Sequence, residues 1–299
     1  MKPAGIYPIL YAFFDADDRL DRAAFRRQVE LCVASGAQGI AILGMITEVG
    51  FLSPEERRML VDWAAEDIDG RLPLAVTIAG TTPEALTELA RASERAGADW
   101  LILQPPLGEQ PSGAELLRFY GRVMERVSLP VGIQNAPEFL GVGLEPEETK
   151  ALRRSHENFT VMKGEGPVVT VKRFLDALDG EVAIFNGRGG LELPDNLAAG
   201  CAGMIPAPDC ADLQVALYRA FEAGEAAEVA SLYARFLPYV VFAMQSIDVH
   251  VQYGKRMFAA RAGIAGADRC RRVTTPADPF LLKAMQRWSD GFGPYPGSQ

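Results

Sequence analysis

The feature that most constrains this chain is an eightfold alternation of two patterns. Short apolar or β-branched runs occupy 5–13, 39–43, 74–78, 100–104, 130–135, 160–163, 183–186 and 203–206. Most lack polar alternation, as expected of strands covered on both faces. Each precedes a stretch with helical spacing, at 21–35, 53–65, 82–96, 112–126, 145–154, 167–178, 191–199 and 209–223. In the first of these, Phe25, Val29 and Val33 recur every four residues. The second opens on Ser53-Pro54-Glu55-Glu56, which predicts a capping box with proline at the first helical position. Thr82-Pro83 opens the third in the same way, and Gly97 marks its end. Strand followed by helix demands parallel pairing through helical crossovers. Eight such units predict an α/β fold, the (β/α)8 or TIM barrel. Counting units alone leaves an open doubly wound sheet as the alternative.

Beyond residue 223 the strand pattern stops, and 226–245, 249–263 and 279–292 read as helices. The predicted organisation is a barrel over 1–223 and a C-terminal helical extension over 224–299, packed on the barrel or on a neighbouring subunit. A length of 299 residues suits that arrangement. With 48% apolar and 23% charged residues, a large core is available and disorder is not indicated. The net charge of −9 argues against nucleic acid as a partner, since phosphate binding needs clustered Lys and Arg. Cys32, Cys201, Cys210 and Cys270 form no Cys-x-x-Cys pair and read as reduced core thiols. The start of the chain does not read as a signal peptide, and no run reads as a membrane span, so the expectation is a cytoplasmic protein with no membrane partner. His156 and His250 read as surface or core residues, and no metal site or nucleotide fingerprint is predicted.

In a barrel of this kind the active site lies at the carboxyl ends of the strands. At the end of run six stands Lys163, within Thr160-Val161-Met162-Lys163-Gly164-Glu165-Gly166. A lysine at the mouth of an apolar barrel either pairs or has a lowered pKa. It can attack a ketone and form a Schiff base, or it can be an ordinary ion-pair partner of Glu165. Spacing alone leaves both readings open. Two residues on, Glu165 points to the same side if the chain stays extended, as a proton carrier or as a salt bridge. The turn from Gly44 to Glu48 could cradle a carboxylate with its amides and the Thr47 hydroxyl. A plain turn with a structural Glu48 is the alternative. After run seven, Gly187 allows close backbone approach, and Arg188 could grip a distal carboxylate or simply lie on the surface. Gln134 and Asn135 after run five and Ile205 in run eight complete the candidate ring.

These strand ends, with "DGRLPLAVTIAG", "AGADWLILQPP", "LPVGIQNAP", "VMKGEG" and "AGCAGMIPA", resemble the dihydrodipicolinate synthase / N-acetylneuraminate lyase family of class I aldolases. The resemblance runs along almost the whole barrel and into the tail. It implies that Lys163 forms the Schiff base with a small 2-oxo acid such as pyruvate, without an organic cofactor, in a homotetramer or dimer. The chain departs from the family where the family usually has Gly-Thr-Thr-Gly-Glu; here Gly44-Met45-Ile46-Thr47-Glu48 stands. The family's strand-five tyrosine is Gln134, and a second tyrosine looks replaced by Leu107. Glu138-Phe139 occupy the place of the synthase's substrate arginine. One branch, the 2-keto-3-deoxy-sugar-acid dehydratases of the L-2-keto-3-deoxyarabonate type, is similar at Gln134-Asn135-Ala136-Pro137, at Lys163-x-Glu165 and at Thr47. That similarity implies dehydration through Lys163 and Glu165, with Gln134 orienting substrate or water and Thr47 helping to hold the C1 carboxylate. Retro-aldol cleavage releasing pyruvate is the alternative. A non-catalytic barrel that binds a 2-oxo acid is a second.

Overall fold

The computed structural model describes residues 2–106, 108–266 and 268–298. Eight strands alternate with helices in the predicted order. They are β1 (Gly5–Ile6), β2 (Ile40–Ile42), β3 (Leu74–Ile78), β4 (Trp100–Leu103), β5 (Val131–Asn135), β6 (Phe159–Gly164), β7 (Ala183–Asn186) and β8 (Gly203–Met204). All pairings are parallel, in the order β1-β8-β7-β6-β5-β4-β3-β2. Ile9, just past β1, bridges Ala41 in β2 in parallel and closes the sheet into a barrel. The first run is therefore extended, as predicted, but its regular ladder is short: Pro8 has no N–H to give.

The helices over the sheet are α1 (Arg22–Ala34), α2 (Pro54–Ile68), α3 (Pro83–Ala96), α4 (Gly113–Met124), α5 (Pro137–Leu140), α6 (Pro146–Ser155), α7 (Val168–Leu178), α8 (Leu193–Ala199) and α9 (Ala211–Glu222). Ser53 and Glu56 form the capping box on α2, and the Thr82 hydroxyl accepts from the Ala85 amide at the start of α3. The short α5 is an addition to the predicted set. Pro137 starts it, and Gly141, at φ 73°, ends it after one turn.

Period-two alternation splits the strand residues between two cores. Leu101, Leu103, Val131, Ile133 and Met162 point outward and pack under the helices. Tyr7, Trp100, Ile102, Val161 and Phe185 point inward and fill the barrel. Tyr7 meets Trp100 and Phe185 edge-on, with ring centroids 5.6 and 5.4 Å away.

Beyond α9 follow α10 (Ala226–Ala243), α11 (Ile247–Val249), a π-helical turn at His250–Gly254, α12 (Lys255–Ala262) and α13 (Pro279–Phe292). Phe236, Tyr239, Met257 and Phe292 join Leu217 of α9 in a third core. By length and composition α10 is long and apolar enough to cross a membrane, contrary to the sequence expectation that no segment would be. In this fold its Phe236, Tyr239 and Val240 lie buried against α9 and the π-helical turn, while Val241 is exposed. The four cysteines are free, and all but Cys270 are buried. Burial pushes the Cys201 thiol up to about 12.

Candidate active site

The alternation that fills the barrel interior also selects the site. Trp100 and Ile102 face inward, so Gln104 does too, and by the same parity Gln134 and Lys163 are the last inward residues of β5 and β6. The register aligns them, since Gln134 lies opposite Lys163 and Leu103 opposite Ile133. Three polar side chains therefore end in one layer above an apolar fill. The Glu165 amide still donates to Asn135 O at 2.9 Å, which keeps the chain extended and returns the carboxylate to that layer.

Glu165 Oε1 lies 3.4 Å from Lys163 Nζ, with both side chains buried. Its other oxygen accepts from Gln134 Nε2 at 2.6 Å, and Gln134 Oε1 accepts from Gln104 Nε2 at 2.8 Å. The two amides thus line up to hold the carboxylate, and the donor direction runs one way. Gly187 completes the setting. A Cβ there would stand 2.0 Å from Glu165 Oε1, so any larger residue would displace the carboxylate.

Lys163 and Glu165 open on a small cavity of about 30 Å³. Arg188, Ile205, Met45, Ile46 and His250 form much of its wall. Arg188 sits in the left-handed region at φ 42°, half-buried, between Glu138 at 3.5 Å and Glu192 at 3.1 Å. Phe139 of α5 covers another side, so the unpredicted helix contributes to the site. Glu165 and Gly164 also border a second cavity of about 110 Å³, toward Thr170 and Arg173 of α7.

Four of the predicted binding residues lie elsewhere. The Thr47 hydroxyl is fully buried, donating to Leu10 O at 2.6 Å and accepting from the Gly44 amide at 3.2 Å. It ties the turn to the segment after the first strand and has no donor left for a carboxylate, and the Gly44 amide is used in the same network. Asn135 clamps Leu144, accepting from its amide at 2.7 Å and donating to its carbonyl at 3.0 Å. Glu48 points away from the cavity to Lys255 of α12, and its Oε2 accepts from the Arg271 and Arg272 amides at 2.8 and 2.7 Å. The turn instead presents Met45 and Ile46. Their amides find no acceptor among the described residues.

Two site features lie outside the predicted set. Gln104 was accessible by the parity that places Gln134 beside it. His250 was not, because its partner lies 41 residues away and no spacing rule joins them. Its Nε2 stands 2.7 Å from Asp209 Oδ2, which also accepts from Tyr239 at 2.6 Å and Tyr11 at 3.2 Å. Burial alone would raise the Asp209 carboxyl, but the His250 ring and the Tyr239 hydroxyl outweigh it and hold the group below its usual range. Burial, reinforced by the Asp209 charge, pushes both tyrosines well up.

A closed parallel barrel agrees with what the whole-chain comparison finds. The dihydrodipicolinate synthetase family model matches residues 2–279. The chain belongs to that family. One relative, named a putative 2-dehydro-3-deoxy-D-gluconate aldolase, YagE of Escherichia coli K12, is 31% identical over 159 residues, which spans about half of either chain (53% of each). A 4-hydroxy-tetrahydrodipicolinate synthase of Methanoculleus marisnigri is 27% identical over 239 residues, 78% of this chain and 81% of its own. The crystal structure of YagE in complex with pyruvate superposes with a TM-score of 0.87 at 23% identity, over 95% of this chain and 98% of that one. The likeness in structure concerns the fold. Gln134 stands where the resemblance leads one to expect a tyrosine, and its amide bridges Gln104 and Glu165. Leu107, the second expected replacement, lies outside the described residues.

Proposed function

We propose that this family member is a class I lyase that binds a 2-keto-3-deoxy sugar acid as an imine on Lys163 and eliminates water from it. The observation that carries this reading is the Glu165 carboxylate, fixed 3.4 Å from Lys163 Nζ by Gln134 and Gly187. Once the lysine has condensed with the C2 ketone, the carbon beside the imine lies within reach of that carboxylate. Glu165 removes the C3 proton, the imine takes up the electron pair, and the C4 hydroxyl departs. Hydrolysis then frees Lys163. Gln134 cannot exchange a proton, so its part is to aim Glu165. The free amides of Met45 and Ile46 suit the C1 carboxylate, in place of the hydroxyl of Thr47. Arg188 suits a charged or hydroxylated far end of the substrate.

The cleavage reading has its own support in the name of the aldolase relative. Both reactions share the imine and differ in which bond breaks next. The test is borohydride reduction in the presence of pyruvate and of a panel of 2-keto-3-deoxy sugar acids, followed by peptide mapping and product analysis. An adduct on Lys163 with a product that keeps its carbon count supports dehydration, and release of pyruvate supports cleavage. Absence of an adduct with every acid, on folded protein, overturns the imine and leaves the non-catalytic barrel.

A further inference from the structure

Both reactions need a proton moved at the C4 oxygen. Dehydration must protonate the leaving hydroxyl, and cleavage must deprotonate it. In this chain the residue opposite Lys163 on β5 is Gln134, which cannot do either. Glu165 is committed to the carbon beside the imine, and Arg188 stays protonated. One other titratable side chain borders the cavity among the described residues, namely His250.

We infer that His250 is the catalytic residue that carries the proton at the C4 oxygen, with Asp209 as its positioning residue. This inference rests on the imine reading of Lys163. The ring is held by one nitrogen only. Nε2 is fixed on Asp209, the one side-chain hydrogen bond His250 makes among the described residues, which leaves Nδ1 without one. The edge of the ring at Cδ2 faces Gly254, and Cε1 faces Gly189, a residue of the cavity wall. Cε1, bonded to both ring nitrogens, is thus the ring atom placed beside the cavity wall, and with Nε2 taken by Asp209 the nitrogen left to serve the cavity is Nδ1. Two glycines make room for this pose. A Cβ on Gly254 would stand 2.5 Å from the Tyr11 hydroxyl and 2.7 Å from both Asp209 Oδ2 and the ring, and one on Gly189 would meet Met244 at 2.9 Å. The backbone at His250–Gly254 is a π-helical turn, a local widening that recurs at functional sites.

A histidine oriented by a buried carboxylate through one nitrogen and free at the other is a competent acid and base. In the dehydration, Glu165 accepts the C3 proton and the C–H electron pair becomes the enamine C2=C3 bond. The nitrogen lone pair then restores C=N, the double bond moves to C3=C4, and the C4–O bond breaks. The proton on Nδ1 leaves with the hydroxide as water. His250 ends neutral and Glu165 protonated, and exchange with solvent resets both. In the cleavage, neutral His250 takes the hydroxyl proton, the C3–C4 bond breaks to release the aldehyde, its electron pair becomes the enamine C2=C3 bond, and C3 then takes a proton from solvent relayed through Glu165.

The test uses His250→Gln, whose amide can replace Nε2 on Asp209 but offers no titratable nitrogen. The wild-type protein must first give a borohydride adduct with pyruvate on Lys163; without one, the imine reading fails, and this inference falls with it. Given the adduct, the variant is expected to keep both trapping and exchange of the pyruvate C3 protons into deuterium oxide. Its turnover of 2-keto-3-deoxyarabonate or 2-keto-3-deoxygluconate, whichever the wild type converts, should fall about 100-fold or more, in kcat rather than KM. Turnover within about threefold of wild type, well short of the effect of losing an acid or base, overturns the assignment. Should the variant fail to fold, diethylpyrocarbonate on the unmutated protein decides. Carbethoxylation of His250 slowed by pyruvate supports the assignment. An inert His250 under conditions that modify His156, the other histidine, overturns it.

Discussion

Two buried lysine–glutamate pairs sit at this barrel, and they are built for opposite ends. Lys255 and Glu48 have no exposed side-chain surface. Their other contacts lie within the protein: Lys255 also donates to Arg269 O at 3.1 Å and stands 5.1 Å from the Phe14 ring centroid, and Glu48 accepts two backbone amides from the segment before α13. The pair links the turn after β2 to α12 and to residues 269–272. Lys163 and Glu165 are nearly as buried, yet they stand 3.4 Å apart and share a cavity. Here the glutamate is aimed by a neutral amide, and Lys163 has no second acceptor among the described residues. Closing every partner makes a latch, and leaving the lysine loosely held beside open space makes a group that can react. The difference lies in the surroundings, since the two side-chain types are the same.

The comparison breaks most sharply at Lys163. Lys163→Ala should reduce turnover to background and erase the borohydride adduct, while the melting temperature stays close to that of the wild type. Residual turnover with any 2-oxo acid would remove Lys163 from the chemistry. Next in size is Glu165→Gln, expected to lower kcat by about 10²–10⁴-fold, the usual contribution of a positioned acid or base. The glutamine can still meet Gln134, so the adduct should survive and separate imine formation from proton transfer.

The latch predicts the reverse profile. Lys255→Met leaves the Glu48 carboxylate buried without its cation, which costs about 3–5 kcal/mol when one partner of a buried pair is removed. Urea unfolding should show that loss as an early midpoint. Loss of turnover without any loss of stability would reverse the roles assigned to the two pairs.

How much of this was legible beforehand follows from the range of each interaction. The barrel was readable because hydrophobic periodicity is local, and eight strand-then-helix units leave little topological choice. Lys163 and Glu165 were readable as neighbours because parity holds over two residues of extended chain. Glu48 and Thr47 were not, because a strand-end turn presents some residues to the cavity and buries others, and the choice depends on what packs behind it. Thr47 is claimed by Leu10, 37 residues earlier, and Glu48 by Lys255, 207 residues later. No local pattern carries such partners. His250 escaped for the same reason, since its role is set by Asp209 and by the cavity that the fold assembles around it.

The smallest expected effect concerns a third carboxylate holding the same tail segment. Arg271 donates to both oxygens of Glu56 at 2.8 Å, and its guanidinium lies 4.3 Å from the Phe14 ring centroid. Glu56 also serves as the capping-box acceptor of α2, so one side chain joins a helix start to the tail. The Arg271 hydrogen bonds, against opposition from partial burial, lower the Glu56 pKa. A carboxylate lowered on folding stabilises the native state above its unfolded pKa of about 4.3, and that contribution disappears as pH falls through the folded value. Glu56→Gln keeps an acceptor for the Ser53 amide but loses the charge. The wild type should therefore exceed the variant by about 1 kcal/mol or less near neutrality, because the pair is partly exposed and screened. The gap should narrow below about pH 4 and with added salt. Paired denaturation curves at pH 7 and pH 3 read this directly. A gap independent of pH would mean that the shape of Glu56, as a cap, matters and its charge does not, and the tail would then be held chiefly by Lys255 and Glu48.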